Sequence, residues 1–288
     1  MKTTTLSPES VLPLTCSRTG TCCHGKLIYI NPWELYALAQ EKKISSKEFR
    51  ELYTDNLGIS LKFNGAKGWK DQEACSQYVE GFGCSVHEGR PLACRLYPLG
   101  RQLQSNEVAY VYHGEKFPCL EGCPEVVDLP QVKVGDYLKG QATGSYEEAQ
   151  DFYVELMQNL ADMAFEFLLD TGLSESGDTA TLKEWRKSGT DSAETLMHKI
   201  GAEWMDEFTN PNITHGIQDP CVFTQKHEEL LNSKLQLEFS HLQTLDDYQT
   251  GTVLLMNIAL QLARSLGADP KELSEMWIAT AKEHGAKE

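Results

Sequence analysis

The chain has 288 residues, 41% of them hydrophobic, and a formal net charge of −16 at pH 7. That apolar content suffices for one large core or two modest ones without disulfide staples, and the acidity excludes general nucleic-acid binding, which needs a basic footprint. Residues 1–144 carry 16 basic and 16 acidic side chains, whereas residues 145–288 carry 10 and 26, so two domains with different surfaces are expected, at 1–140 and 145–288.

The opening reads as an irregular arm to about residue 17. Its first fourteen residues hold one lysine and no continuous apolar stretch, so it is not a secretory signal. Cys16, Cys22, Cys23 and His24 follow in a loop that ends at Gly25, and residues 26–30 (KLIYI) have the composition of a short strand. Asn31, Pro32 and Glu34 form a helix start, and the helix is predicted to run to about residue 40. Ser45 and Glu48 repeat the capping pattern for a second helix ending near Gly58. Residues 59–70 read as strand and turn, and 75–98 as mostly loop. Residues 107–113 read as a strand, 119–124 as a loop and 139–145 as a linker.

The second half reads as helices. Ser145 and Glu148 open one to about residue 170, with Phe152, Leu156, Leu160, Met163 and Phe167 on one stripe. Further segments are predicted at 181–187, 192–208, 224–242 and 245–266, with a last helix capped by Asp269 and ending at Gly285. The most apolar run, 253–263, is too short to span a bilayer, so a soluble, cytoplasmic protein is expected. The fold class predicted is mainly α: a small irregular α+β cysteine-rich metal-binding region, then a C-terminal helical bundle with a buried central helix.

Eight of the nine cysteines precede residue 124: Cys16, Cys22, Cys23, Cys75, Cys84, Cys94, Cys119 and Cys123. In a reducing compartment such clustering points to metal ligation rather than disulfides. Thiolates suit zinc and iron–sulfur clusters, and eight suffice for one site or two. The spacings are neither the tight ferredoxin run nor paired zinc knuckles, so they indicate a thiolate-rich site without choosing the metal. The adjacent side chains of Cys22 and Cys23 are expected to diverge. Arg90 and Arg95 are placed to stabilise the net charge of about −2 on a four-thiolate [4Fe–4S] or zinc centre. His24 and His87 are expected beside the ligands rather than among them, and the isolated Cys221 is expected to be a buried, inert thiol.

From Cys84 to Pro98 the chain reads CSVHEGRPLACRLYP. This resembles the hallmark of the YkgJ-like cysteine-cluster family, described as zinc- or iron-chelating: a cysteine, a Tyr/His-Glu-x-Arg-Pro turn, then Cys-Arg-x-Tyr/Phe-Pro. Cys16, Cys22 and Cys23 resemble its leading cysteines, which end in a Cys-Cys pair. Cys75 resembles the cysteine of its Cys-Pro-Phe-Leu element, although Ser76-Gln77-Tyr78 follows here. The resemblance covers about residues 16–124 and implies metal or cluster binding, not a reaction. A related module in flagellin lysine methylases also implies methyl transfer. No glycine-rich nucleotide loop or C-x3-C-x2-C motif accompanies it.

Three functions follow as expectations. The first is an iron–sulfur protein holding one or two [4Fe–4S]-type clusters, which transfers electrons or senses redox state while its acidic helical half docks a protein redox partner. The second is a structural zinc protein. The third is a cluster-dependent enzyme such as a protein methyltransferase, although no acid/base or nucleophile constellation stands out beyond the cysteines.

Overall fold

The computed structural model describes residues 5–14, 20–55, 58–104, 107–112, 130–209, 211, 213 and 216–288. Cys16, Cys119, Cys123 and the predicted 119–124 loop lie outside these residues. The chain divides into two compact units. The first comprises Met1–Ile28, Ala37–Asp55 and Ser60–Glu147; the second comprises Tyr29–Tyr36, Asn56–Ile59 and Glu148–Glu288. The protein is mainly helical, with its small sheets in the first unit and a helical C-terminal region.

The elements up to residue 140 are β1 (Thr5–Leu6), β2 (Val11–Pro13), α1 (Pro32–Lys42), α2 (Ser46–Tyr53), β3 (Thr54–Asp55), β4 (Ser60–Leu61), β5 (Phe63–Lys67), β6 (Glu73–Cys75), β7 (Tyr78–Val79), β8 (Gly83–Cys84), α3 (Leu92–Leu96), β9 (Leu99–Gln104), β10 (Glu107–Tyr112), β11 (Gln131–Lys133) and α4 (Val134–Gly140). The opening segment is not an irregular arm. Its β1 pairs antiparallel with β10, which also pairs with β9, and its β2 pairs with β11. Such pairings join residues about a hundred positions apart and leave no local signature. They bury Leu14, Leu99, Val134 and Tyr137 together, with Leu12 and Val132 packed against them.

Local chemistry sets the helix starts as predicted. Asn31 Oδ1 accepts the Glu34 N–H at 3.0 Å and the Glu34 carboxylate accepts the Asn31 N–H at 2.9 Å, a reciprocal cap for α1. Ser45 Oγ accepts the Glu48 N–H at 3.1 Å at the start of α2. That helix ends at Tyr53 rather than near Gly58, because Thr54 turns extended and enters β3. Residues 26–30 are not a strand. Among the described residues they make two sheet-like bonds, Leu61 N–H to the Ile28 carbonyl and Ile30 N–H to the Ile59 carbonyl, each 2.9 Å. The 75–98 stretch is more regular than a loop: β7 and β8 form a hairpin and α3 carries Cys94. Residues 139–145 are not a linker, since α4 and the next helix leave only Gln141–Thr143 between them.

The remaining helices are α5 (Gly144–Leu169), α6 (Thr181–Thr190), α7 (Ala193–Ile200), α8 (Ala202–Thr209), α9 (Pro220–Phe239), α10 (Leu245–Ser265) and α11 (Pro270–Glu283). The segment predicted as one helix over 192–208 breaks at Gly201, whose φ of 89° and ψ of 152° only glycine adopts readily. As expected, α10 is the buried centre: Leu255, Met256, Ile258, Ala259, Leu260 and Ala263 are all at most 1% exposed. It packs against α6, α7 and α11. In the same unit, the rings of Trp33 and Tyr36 pack at a tilt against Phe223, which explains why Tyr29–Tyr36 groups with the late helices.

Titratable side chains are also buried in this unit, His227 and Tyr153 among them. His227 is fully buried; its Nδ1 accepts from the Tyr153 hydroxyl at 2.8 Å and its Nε2–H donates to the Glu207 carbonyl at 3.0 Å. Burial drives its pKa down to about 4, so the ring is neutral. No helix among the described residues is long and apolar enough to cross a membrane.

Candidate metal centre

The cysteine region is assembled from four short pieces. Cys22 and Cys23 lie in a 3-10 turn, Thr21–Cys23, that begins after Gly20. Gly20 has φ 84°, and a Cβ there would meet the Tyr78 ring at 2.0 Å, so glycine allows the turn to press onto β7. Cys75 ends β6 and Cys84 ends β8, which pairs Cys84 with Tyr78. Cys94 sits in the middle of α3.

These pieces bring Cys22, Cys23 and Cys75 into electrostatic range of one another, with Cys94 in range of Cys23 and Cys84 in range of Cys75. Cys23 responds to Cys22, Cys94 and Cys75, and Cys75 responds to Cys84 and Cys22. Cys22 and Cys23 do not diverge as adjacency predicts. Their side chains hydrogen-bond within the 3-10 turn, which holds Cys22 down to about 7, helped by the Lys26 ammonium, and drives Cys23 upward. Burial pushes Cys75 up to about 11. None of the described cysteines is joined in a disulfide.

The donor chemistry fits a thiophilic metal or an iron–sulfur cluster, since the donors gathered are soft sulfurs. Among the described residues, however, no three His, Cys, Asp or Glu side chains are already arranged to hold a metal ion. The described thiols therefore form a gathering, not a finished cage. Cys16, Cys119 and Cys123 lie outside the described residues and are not placed.

Arg90 and Arg95 are buried, and their bonds hold the backbone between Cys84 and Cys94. Arg90 donates to the His87 carbonyl at 2.5 Å and to Gln141 Oε1 at 2.6 Å. Arg95 Nε donates to the Arg90 carbonyl and Nη1 to the Gln141 carbonyl, each at 2.9 Å; Nη2 donates to the Glu88 carbonyl. Its guanidinium also stacks 3.9 Å from the Tyr146 ring centre. The planar fork satisfies several carbonyls at once, which lysine could not do. Gln141 and Tyr146, some fifty residues onward, are thus part of the support for the Cys94 segment. Nothing in the sequence marks them, because the partnership is made only by folding.

Around this frame, His24 is buried, with Nδ1 2.9 Å from the Gly20 carbonyl and its ring edge-on to Tyr78. It braces the cysteine turn. His87 contacts Glu88 and Arg90 through Nδ1. Gln77 is 1% exposed, and its amide is met by Ser76 and Ser85. A polar residue is accommodated there by local hydroxyls. Lys26 lies 4.7 Å over the Tyr97 ring, whose residue's carbonyl accepts from Tyr137 at 2.5 Å. Cys221 corrects an expectation: it is partly exposed at the start of α9, with its thiol 3.0 Å from the Glu148 carboxylate, which raises its pKa to about 11. It is protonated but not buried.

Residues 15–112 match the model of a known family, CxxCxxCC, the putative zinc- or iron-chelating domain. This is the cysteine-cluster family that the sequence resembles, and the match supports metal binding by this segment. The CxxCxxCC match spans about a third of the chain and includes Cys16, Cys22, Cys23, Cys75, Cys84 and Cys94, but neither Cys119 nor Cys123. In the run the family is named for, Cys16, Cys22 and Cys23 fall in register while Thr19 stands at the second cysteine position. No curated protein and no solved structure matches the chain.

Proposed function

We propose that the CxxCxxCC segment holds an iron–sulfur cluster and that the protein transfers electrons or senses redox state through it. The observation that carries this reading is the gathering of Cys22, Cys23, Cys75, Cys84 and Cys94 from four separate pieces of chain. Those five, with Cys16, Cys119 and Cys123, are the proposed ligand pool. When bound, such a cluster supplies a one-electron redox couple. The chain's own contribution is to gather the thiols, brace their backbone through Arg90, Arg95 and Gln141, and cover the turn with Tyr78 and His24. The acidic helical unit is proposed as the docking half for a protein redox partner.

Anaerobic purification followed by iron, zinc and sulfide analysis with a visible spectrum tests the proposal. Brown protein with matching iron and sulfide, lost in Cys84→Ser or Cys94→Ser, is the expected outcome. Colourless protein with stoichiometric zinc and no sulfide replaces it with a structural zinc site. A second reading, a cluster-dependent enzyme such as a protein methyltransferase, draws on Thr19, which takes one thiolate from the leading run. Retention of a full cluster complement in a Thr19→Cys variant, with an unchanged EPR signal, counts against an open iron at that position.

A further inference from the structure

The second unit carries a groove that its own core does not fill. It lies between α5 and α11 and has a volume of about 420 Å3. Phe165 and Leu169 of α5 and Met276 and Trp277 of α11 line it. Trp277 is 2% exposed and belongs to the core, but Met276 on the next position is 52% exposed. An exposed methionine beside aromatic rings is an adaptable apolar surface that suits a packed partner better than water.

The same groove carries Asp162 and Glu166. Both are exposed, and neither has an ion-pair partner among the described residues; Asp162 only accepts from Gln158 at 2.7 Å. They stand four residues apart on α5, hence one above the other on a single face, next to Phe165 and Leu169. A helix laid in the groove would meet the apolar side chains of Phe165, Leu169 and Met276 and two negative charges a turn apart, with Gln158, Thr280 and His284 completing the lining. An amphipathic helix with apolar anchors and Lys or Arg one turn apart is complementary to that arrangement. A second copy of this chain is a poor occupant, since each copy brings a net charge of −16.

We propose that the α5–α11 groove docks a cationic amphipathic helix of a partner protein. This deepens, and rests on, the reading of the acidic unit as the docking half. It names the surface and the partner's chemistry. Attraction to Asp162 and Glu166 would steer the encounter, and burial of Met276 would hold the complex.

The test is isothermal titration of the full-length protein, assayed for metal in the same sample, with a synthetic leucine–lysine helical peptide. A scrambled peptide of the same composition is the control. The amphipathic peptide should bind in about the micromolar range, and Asp162→Lys/Glu166→Lys should weaken it about tenfold or more. Met276→Glu should weaken it as well. The pair Glu229→Lys/Glu238→Lys, with the same charge change on exposed positions of α9, should leave it nearly unchanged. Equal weakening by the α9 pair, equal binding of the scrambled peptide, or no binding up to about 1 mM peptide overturns the proposal. Protein that holds iron and sulfide yet binds no peptide overturns the groove alone. Protein that binds the peptide as described but holds neither iron nor sulfide overturns the cluster reading alone.

Discussion

The two units are stabilised by different means. The second buries α10 among α6, α7 and α11 and has an apolar core of the ordinary kind. The first joins strands of two to six residues and short helices through buried apolar side chains, such as Leu38, Phe49 and Val86 and the cluster around Leu14 and Tyr137, and adds a buried network of arginines and backbone carbonyls. Short two-stranded sheets are marginal by themselves. A unit built this way gains most from whatever ties its loops together, and the gathered cysteines lie where such a tie would act. The contrast is that a core held by burial alone tolerates the loss of a polar contact, whereas a unit that also depends on buried polar cross-links does not.

The sharpest way to break that contrast is to remove the metal that the CxxCxxCC match supports. Chelation, or Cys84→Ser, is expected to abolish exchange protection across β5–β8 while amides of α10 keep theirs, as hydrogen exchange with mass spectrometry would show. Next in size is Arg95→Ala, which leaves the Glu88, Arg90 and Gln141 carbonyls short of a buried donor. A loss of about 4 kcal/mol is expected in urea unfolding of the first unit, with little change in the second.

The second unit has its own weak point in acid. The pKa of His227 falls from an ordinary 6.5 to about 4 in the fold, so the unfolded chain takes up its proton first. Its contribution to stability is complete above about pH 6.5 and is lost as pH drops toward 4, roughly 3 kcal/mol in all. Urea midpoints at pH 7 and pH 4.5 measure this, and His227→Gln should flatten the difference. Smaller again is Gly201→Ala. Nothing crowds a Cβ there, so only backbone strain is felt, at about 2 kcal/mol on the melting of α7 and α8. The smallest effect is expected from Ser45→Ala, about 1 kcal/mol from one lost cap on α2.

Much of this architecture was legible from short-range chemistry. The caps at Asn31, Ser45 and Asp269 and the apolar run of α10 are written in neighbouring residues. The thiol-rich character of the first half and the motif from Cys84 to Pro98 are read the same way. Legibility stopped where partners are distant. The opening segment resembles an irregular arm until β10 and β11 are folded beside it, and residues 139–145 resemble a linker until Arg90 and Arg95 take hold of Gln141. Cys22 and Cys23 were misjudged for another reason: side chains of neighbours diverge in extended backbone, but a 3-10 turn brings them together.

By itself, then, the sequence determined the predominance of helix, the unequal charge of the two halves and the soft-donor chemistry of the first, because composition and local spacing suffice for these. Tertiary structure alone decided which thiols gather, that two arginines brace the Cys84–Cys94 backbone rather than stand free, and that Asp162 and Glu166 flank an unfilled groove. Those arrangements depend on residues tens of positions apart meeting in one place. The free energy that brings them together comes from burial and satisfied hydrogen bonds elsewhere in the fold, which no local pattern encodes.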